Sequence, residues 1–212
     1  MENPLTPEHF NRVDNTPDRA FYGPPRIVKH IDEPACAALA KFYKDNLPEG
    51  GAILDLMSSC VSHLPEDASF DRVIGLGMNA MELRANEQLT GGLIKDLNDH
   101  PVLPFADEAF DACLIAVSVQ YLTKPVEVFT EIARVLRPGA PLIVSFSNRM
   151  FPTKAVAVWR SLDDENHAML IDLYCNLAGG FMPRDLVNLS PFPGRSDPLY
   201  AVVGRKAPLE AG

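Results

Sequence analysis

From residue 32 onward the chain alternates short apolar runs with stretches whose apolar positions repeat at helical spacing. The spacing predicts a helix from Asp32, a suitable N-cap, to about Asn46. Pro34 falls in its first turn, Leu39, Phe42 and Tyr43 form its apolar face, and Pro48 stops it. After the Pro48-Glu49-Gly50-Gly51 turn, residues 52–57 read as a buried strand interrupted only by Asp55. Val61 to Leu64 fits barely one helical turn before Pro65, and Phe70 to Leu76 reads as a second strand. Asn79 caps the next helix, with Glu82 three residues on in a capping-box arrangement, and Gly91-Gly92 is its expected stop. Leu93 to Lys95 is a short third strand ending at Asp96, and Ala112 to Val119 a fourth. Val128, Phe129, Ile132, Val135 and Leu136 mark one face of a helix over roughly 126–136. Pro138-Gly139 ends it before a fifth strand, Leu142 to Phe146. A further helix runs from Asp163 or Asp164 to about Leu177. Phe181 to Leu189 and Pro198 to Val203 then form an antiparallel pair around a Pro-Gly turn. This order means an α/β fold built on a doubly wound, mostly parallel sheet with helices on both faces.

Residues 1–31 break the pattern. They are rich in Pro, Asn and Asp and are expected to form a mobile arm or a strap over the main domain, residues 32–212. Within them Phe21-Tyr22-Gly23-Pro24-Pro25-Arg26 combines aromatic, rigid and basic residues suited to covering a site, which makes Tyr22 and Arg26 candidate substrate contacts.

Composition narrows the function. A net charge of −9 argues against nucleic acid or an anionic membrane surface as principal partner. Neither a secretory leader nor an apolar run of bilayer length is visible, and Cys36, Cys60, Cys113 and Cys175 lie far apart without metal-ligand spacing. Free thiols in a cytoplasmic protein, with no metal, are the expectation. In an open α/β sheet the ligand crevice lies beyond the carboxyl ends of the strands, so Met57-Ser58-Ser59-Cys60 is the first place to look for a site.

From Asp96 onward more specific words follow: Leu103-Pro104-Phe105, Phe110-Asp111, then Glu131-Ile132-Ala133-Arg134-Val135-Leu136-Arg137-Pro138-Gly139 and Ala178-Gly179-Gly180-Phe181 before the terminal hairpin. Over about residues 50 to 205 the chain resembles the class I S-adenosylmethionine-dependent methyltransferases. The resemblance implies a Rossmann-like seven-stranded sheet with its last strand inserted antiparallel, and S-adenosyl-L-methionine as cofactor. Two departures stand out. At the glycine-rich first loop Asp55 is kept, but the glycine positions fall on Met57, Ser59 and Val61. At the end of strand two, where the family places an acid on the ribose, this chain has Gly77, followed by Met78 and Asn79. The implied cofactor residues are Asp55, Met57, Ser58, Ser59, Gly77, Met78, Asn79, Asp96, Leu97 and Ser118. Asp96 is favoured over Asp99 for the adenine amino group, because a strand end holds a side chain more firmly than a loop.

Methyl transfer from a sulfonium is an in-line displacement that needs alignment and dryness more than a catalytic triad. A small-molecule acceptor is expected beyond strands four and five. Tyr121, Arg149 and His167 are the catalytic candidates, Gln120 and Asn148 join Tyr22 and Arg26 as substrate contacts, and His30 and His63 are further candidate bases. Arg149 and Lys154 near Trp159 would suit an acceptor carboxylate or phosphate. Loss of both glycines and acid keeps a second reading open, a binding or regulatory protein on a methyltransferase scaffold.

Overall fold

The computed structural model describes residues 3–208. Residues 1 and 2 of the expected arm and 209–212 of the expected domain lie outside that range. Seven strands form one sheet in the order β3-β2-β1-β4-β5-β7-β6. They are β1 (Ala52–Leu56), β2 (Arg72–Gly77), β3 (Gly91–Ile94), β4 (Ala112–Ala116), β5 (Pro141–Phe146), β6 (Asp185–Asn188) and β7 (Tyr200–Arg205). All neighbours run parallel except β7, which is antiparallel to both β5 and β6. The helices are α1 (Asp18–Phe21), α2 (Glu33–Asn46), α3 (Ala80–Ala85), α4 (Pro125–Val135), α5 (Ala157–Arg160) and α6 (Asp164–Ala178).

Strand alternation separates two cores. Ile53, Leu114, Ile143 and Val203 face α2 with Leu39 and Tyr43, whereas Leu54, Cys113, Ile115 and Val144 face α4 and α6 with Phe129, Ile132 and Tyr174. β1 and β5, on either side of β4, are buried along their whole length, which is why their sequence shows apolar runs rather than alternation. Asp32 caps α2 by accepting from Ala35 N–H at 3.0 Å, and Asp163 caps α6 by accepting from Asn166 N–H at 3.0 Å.

Several boundaries differ from the sequence reading. Gly91-Gly92 does not end a helix; both residues belong to β3, and α3 closes six residues earlier at Ala85. A Cβ on Gly91 would press Ile74 and one on Gly92 would press Leu83, so these glycines serve close packing. β4 ends at Ala116, and residues 119–121 form a 3-10 turn instead of extending the strand. No helical turn forms over 61–64: the whole connection from Met57 to Asp71 is irregular. Its backbone polar groups are satisfied by side chains that follow α3. Asn86 donates to the Ser59 carbonyl (3.1 Å), and Gln88 donates to the Leu64 carbonyl (2.7 Å) and accepts from Ser62 N–H (3.0 Å).

The N-terminal segment is pinned along its length. Residues 7–10 form a 3-10 turn, Ala157 N–H donates to the Asn11 carbonyl (2.8 Å), and Asp14 N–H donates to the Thr153 carbonyl (2.8 Å). From there the chain crosses the carboxyl ends of the strands and enters α2 at Asp32.

Candidate active site

A cavity of about 330 Å³ opens where β1, β2, β3 and β4 end, roofed by residues 18–30. This is the crevice that a doubly wound sheet offers for a ligand. Its floor starts at Asp55, which is buried and accepts hydrogen bonds from Ser58 Oγ and Ser62 Oγ, both at 2.6 Å. Burial pushes its carboxyl up to about 6, against the pull of those two hydroxyls.

The loop after β1 turns sharply without glycine. Met57 sits at φ +58°, in the left-handed region that costs an L-residue about 1–2 kcal/mol. Ser58 N–H then donates to the Leu76 carbonyl at 2.9 Å, laying the loop against the tip of β2. This contact explains the second departure. A Cβ on Gly77 would fall inside van der Waals contact with the Ser58 carbonyl oxygen, and one on Gly75 would meet Leu89 and Ser58. The missing glycines and the missing strand-two acid are therefore one change: the rerouted loop occupies the space an acidic side chain would need.

Glu82 takes up a nearby position. It lines the cavity and accepts from Ser59 Oγ (2.8 Å) and from the Arg26 backbone N–H (2.7 Å), joining first loop, α3 and roof. It does not complete the expected capping box; Asn79 caps α3 alone through Met81 and Glu82 N–H groups. The Asn79 amide donates to the carbonyls of Tyr22 and Gly23, so this residue holds the roof and does not face the cavity. At the β3 end, Asp96 Oδ1 accepts from Asn98 N–H at 2.9 Å, and Leu97 is buried beside it. Asp96 lines the cavity, whereas Asp99 is exposed against His100.

Beyond β4, Val117 is a β-branched residue at φ +49°, a strained conformation of the kind that gathers at functional sites. Ser118, next to it, is 8% exposed, lines the cavity, and its Oγ has no partner among the described residues. Tyr121 lines the wall, with its hydroxyl accepting from Phe151 N–H at 2.8 Å. Burial raises both Tyr121 and Tyr22, so each remains a neutral phenol. Arg149 stands at the rim, 61% exposed at its side chain and 3.4 Å from Asp197.

The roof is tied down by a buried polar cluster. Arg12 donates to both oxygens of Asp18 (2.7 and 2.9 Å), and Asn98 donates to Asp18 at 2.8 Å. Lys154, fully buried, reaches the Thr16 carbonyl (2.6 Å) and Asp18 (3.2 Å). Lys154 is thus bound to the arm and unable to hold an acceptor, which corrects the sequence reading. Trp159 is likewise core, 1% exposed.

Of the residues singled out from sequence, the cavity gathers Tyr22, Arg26, Asp55, Met57, Ser58, Ser59, Gly77, Met78, Asp96, Leu97, Ser118, Tyr121, Asn148 and Arg149. Three are placed elsewhere. His167 stacks on Trp159 with ring centroids 3.9 Å apart and a 2.8 Å hydrogen bond to its carbonyl, inside the α5–α6 packing. Gln120 is buried below the floor, its amide donating to the Val117 carbonyl at 2.9 Å. Asn79 is the third. Sequence reasoning passed over Glu82, Lys95, Asp18 and Phe151 as site residues; the capping-box spacing disguised Glu82. His30 and His63 do line the cavity.

The fold and the placement of this cavity define a doubly wound α/β protein with its crevice at the strand tips. Comparison with known proteins is more specific. A family model described as a methyltransferase domain matches residues 62–144, starting just past the altered loop. The methyltransferase phqN of Penicillium fellutanum is 36% identical over 106 residues, covering 46% of this chain and 32% of that protein. A demethylmenaquinone methyltransferase of Mycobacterium sp. (strain KMS) is 34% identical over 108 residues, covering 42% and 47%. The methyltransferase bound to the Trm112 activator of Haloferax volcanii superposes with a TM-score of 0.62 at 17% identity, covering 85% of this chain and 93% of that one. The chain spans between 12% and 47% of the length of the curated relatives it matches. Over residues 62–144 it is similar to the methyltransferase-domain family, and its fold is the one shared by the solved methyltransferase on which it superposes.

Proposed function

We propose that this chain binds S-adenosyl-L-methionine and transfers its methyl group to a small-molecule acceptor. The observation that carries this reading is one cavity joining the tips of four parallel strands, with Asp55, Glu82 and Asp96 in its wall. The ligand brings a sulfonium and an ammonium group, and three carboxylates around a low-dielectric cleft suit that cationic character. Asp96 is assigned to the adenine amino group, with Met78 and Leu97 beside the base. Asp55, Ser58 and Ser59 are assigned to the amino-acid end. Ser118 Oγ, buried without a partner, supplies a hydrogen bond at the same tip; leaving it unmet would cost about 1–3 kcal/mol.

The bound sulfonium supplies an activated methyl group, so the chain's part is to align and to dry the site. Residues 18–30 exclude water from above, and Tyr121 and Phe151 close the side toward β5. Arg149 and Asn148 stand at the rim for the polar end of an acceptor. We place the protein in the cytoplasm, a reading supported by four free cysteines. Among the described residues no helix is long and apolar enough to cross a membrane.

S-adenosylhomocysteine at about 100 times its dissociation constant should stabilise the chain by roughly 2.7 kcal/mol, read as a rise in Tm. Asp96→Asn should weaken that binding about tenfold. Absence of any shift at millimolar ligand would defeat the catalytic reading and leave a non-catalytic scaffold.

A further inference from the structure

We propose that the acceptor is a planar aromatic hydroxyl compound, its ring held against the wall formed by Tyr22, Tyr121 and Phe151 and its proton taken by His30. The inference rests on the methyl-transfer reading and adds the substrate class and the accepting base. Tyr121 and Phe151 are stacked, ring centroids 5.8 Å apart at 29°, and the Phe151 N–H to Tyr121 hydroxyl bond locks them together. Tyr22 stands edge-on to both, at 6.4 and 6.5 Å, and His30 edge-on to Phe151 at 5.6 Å. All four rings line the cavity. The Arg26 guanidinium lies over Phe151 (5.1 Å) and Phe21 (4.6 Å), fixing the roof on the ring that forms the far wall. No carboxylate lies within ion-pair distance of it among the described residues.

The Tyr22 hydroxyl is out of solvent and without a partner among the described residues. His30 is partly exposed, and its imidazole lines the same cavity. A wall of rings with an unpartnered phenol and an imidazole at the same cavity matches a flat aromatic body carrying a hydroxyl. Aromatic pairs add about 0.5–1.5 kcal/mol beyond area burial, a gain that a saturated ring forgoes. Burial, and then Arg26, hold His30 below its ordinary value while Glu82 opposes them, so at neutral pH it is an unprotonated base. His63, in the loop after β1, is the other titratable ring close to it.

In the transfer step the acceptor oxygen forms a bond to the methyl carbon as the carbon–sulfur bond breaks. The sulfur keeps that electron pair and becomes a neutral thioether. The hydroxyl proton passes to His30, and the imidazolium returns it to solvent.

The test uses the full chain with 2-naphthol and its saturated counterpart, decahydro-2-naphthol. Loaded with S-adenosylhomocysteine, the protein should gain Tm with 2-naphthol and not with the saturated alcohol. With labelled S-adenosylmethionine, only 2-naphthol should yield a methyl ether. Phe151→Leu should weaken 2-naphthol binding at least tenfold with S-adenosylhomocysteine affinity kept. His30→Gln should keep 2-naphthol binding, lower kcat at least a hundredfold and abolish the acidic limb of the pH–rate profile. Equal binding of the two alcohols overturns the substrate class, and unchanged transfer by His30→Gln overturns the base. Binding of S-adenosylhomocysteine without any 2-naphthol binding sinks this inference alone; failure of both ligands sinks it together with the methyl-transfer reading.

Discussion

The two halves of the sheet solve the same problem differently. From β4 through α4 to β5 the chain is regular. Arg134 donates to Glu131 and Asp107 and to the carbonyls of Leu103 and Phe105, and Asp111 accepts from Ala52 N–H, so one set of side chains stitches the loop before β4 to α4 and β1. From β1 to β3 the customary helix after the first strand is missing, and serines, Asn86 and Gln88 hold an irregular loop in place. The contrast teaches that a left-handed turn can be held, and the loop beyond it fastened, by residue types other than glycine. Met57 holds a left-handed turn without glycine, and a glycine at 77 makes room for the loop.

The strongest way to break this contrast is to restore the family's acid. Gly77→Asp should destabilise the protein by about 3–5 kcal/mol, because the new side chain meets the Ser58 carbonyl. Urea unfolding measures it, and a near-neutral result would mean that the loop yields freely. Next comes a pH effect confined to the altered half. The raised Asp55 carboxyl contributes stability below about pH 4 that is lost as pH climbs through 6. His63 is pushed down to about 4 by its burial, so its contribution runs the other way, present above 6.5 and lost as pH falls through 4. Each amounts to about 3 kcal/mol, and between pH 4 and 6 they offset. Asp55→Asn should therefore lose about 3 kcal/mol more than the parent on going from pH 6 to 4, seen as diverging denaturation midpoints; parallel curves would refute the opposition. The smallest effect is expected for Met57→Gly. Relief of the left-handed conformation offsets the lost methionine contacts, and the net change should stay within about 1 kcal/mol. A large loss would show that the methionine side chain, not the turn, holds the loop.

How well each half could be read from sequence follows the same division. The succession of strands along the chain, the helix over roughly 126–136 and the final antiparallel pair were legible because burial imposes runs and stripes that side-chain period records. Asp55, Asp96 and Ser118, singled out through the family resemblance, all line the cavity, because topology gathers the ends of the parallel strands there. The loop from 57 to 71 was illegible: its stability comes from Asn86 and Gln88, contacts across more than twenty residues that no local pattern signals. His167 misled for a related reason. An imidazole early in a helix looks free in sequence, and only packing revealed Trp159 stacked upon it.

The clamp on Lys154 carries a kinetic consequence. Residues 18–30 are moored there on one flank and at Glu82 and Cys60 on the other, so nothing seated beneath Tyr22 departs until one mooring parts. Under the proposed reaction, exchange of spent for fresh ligand is thereby tied to local opening of this span.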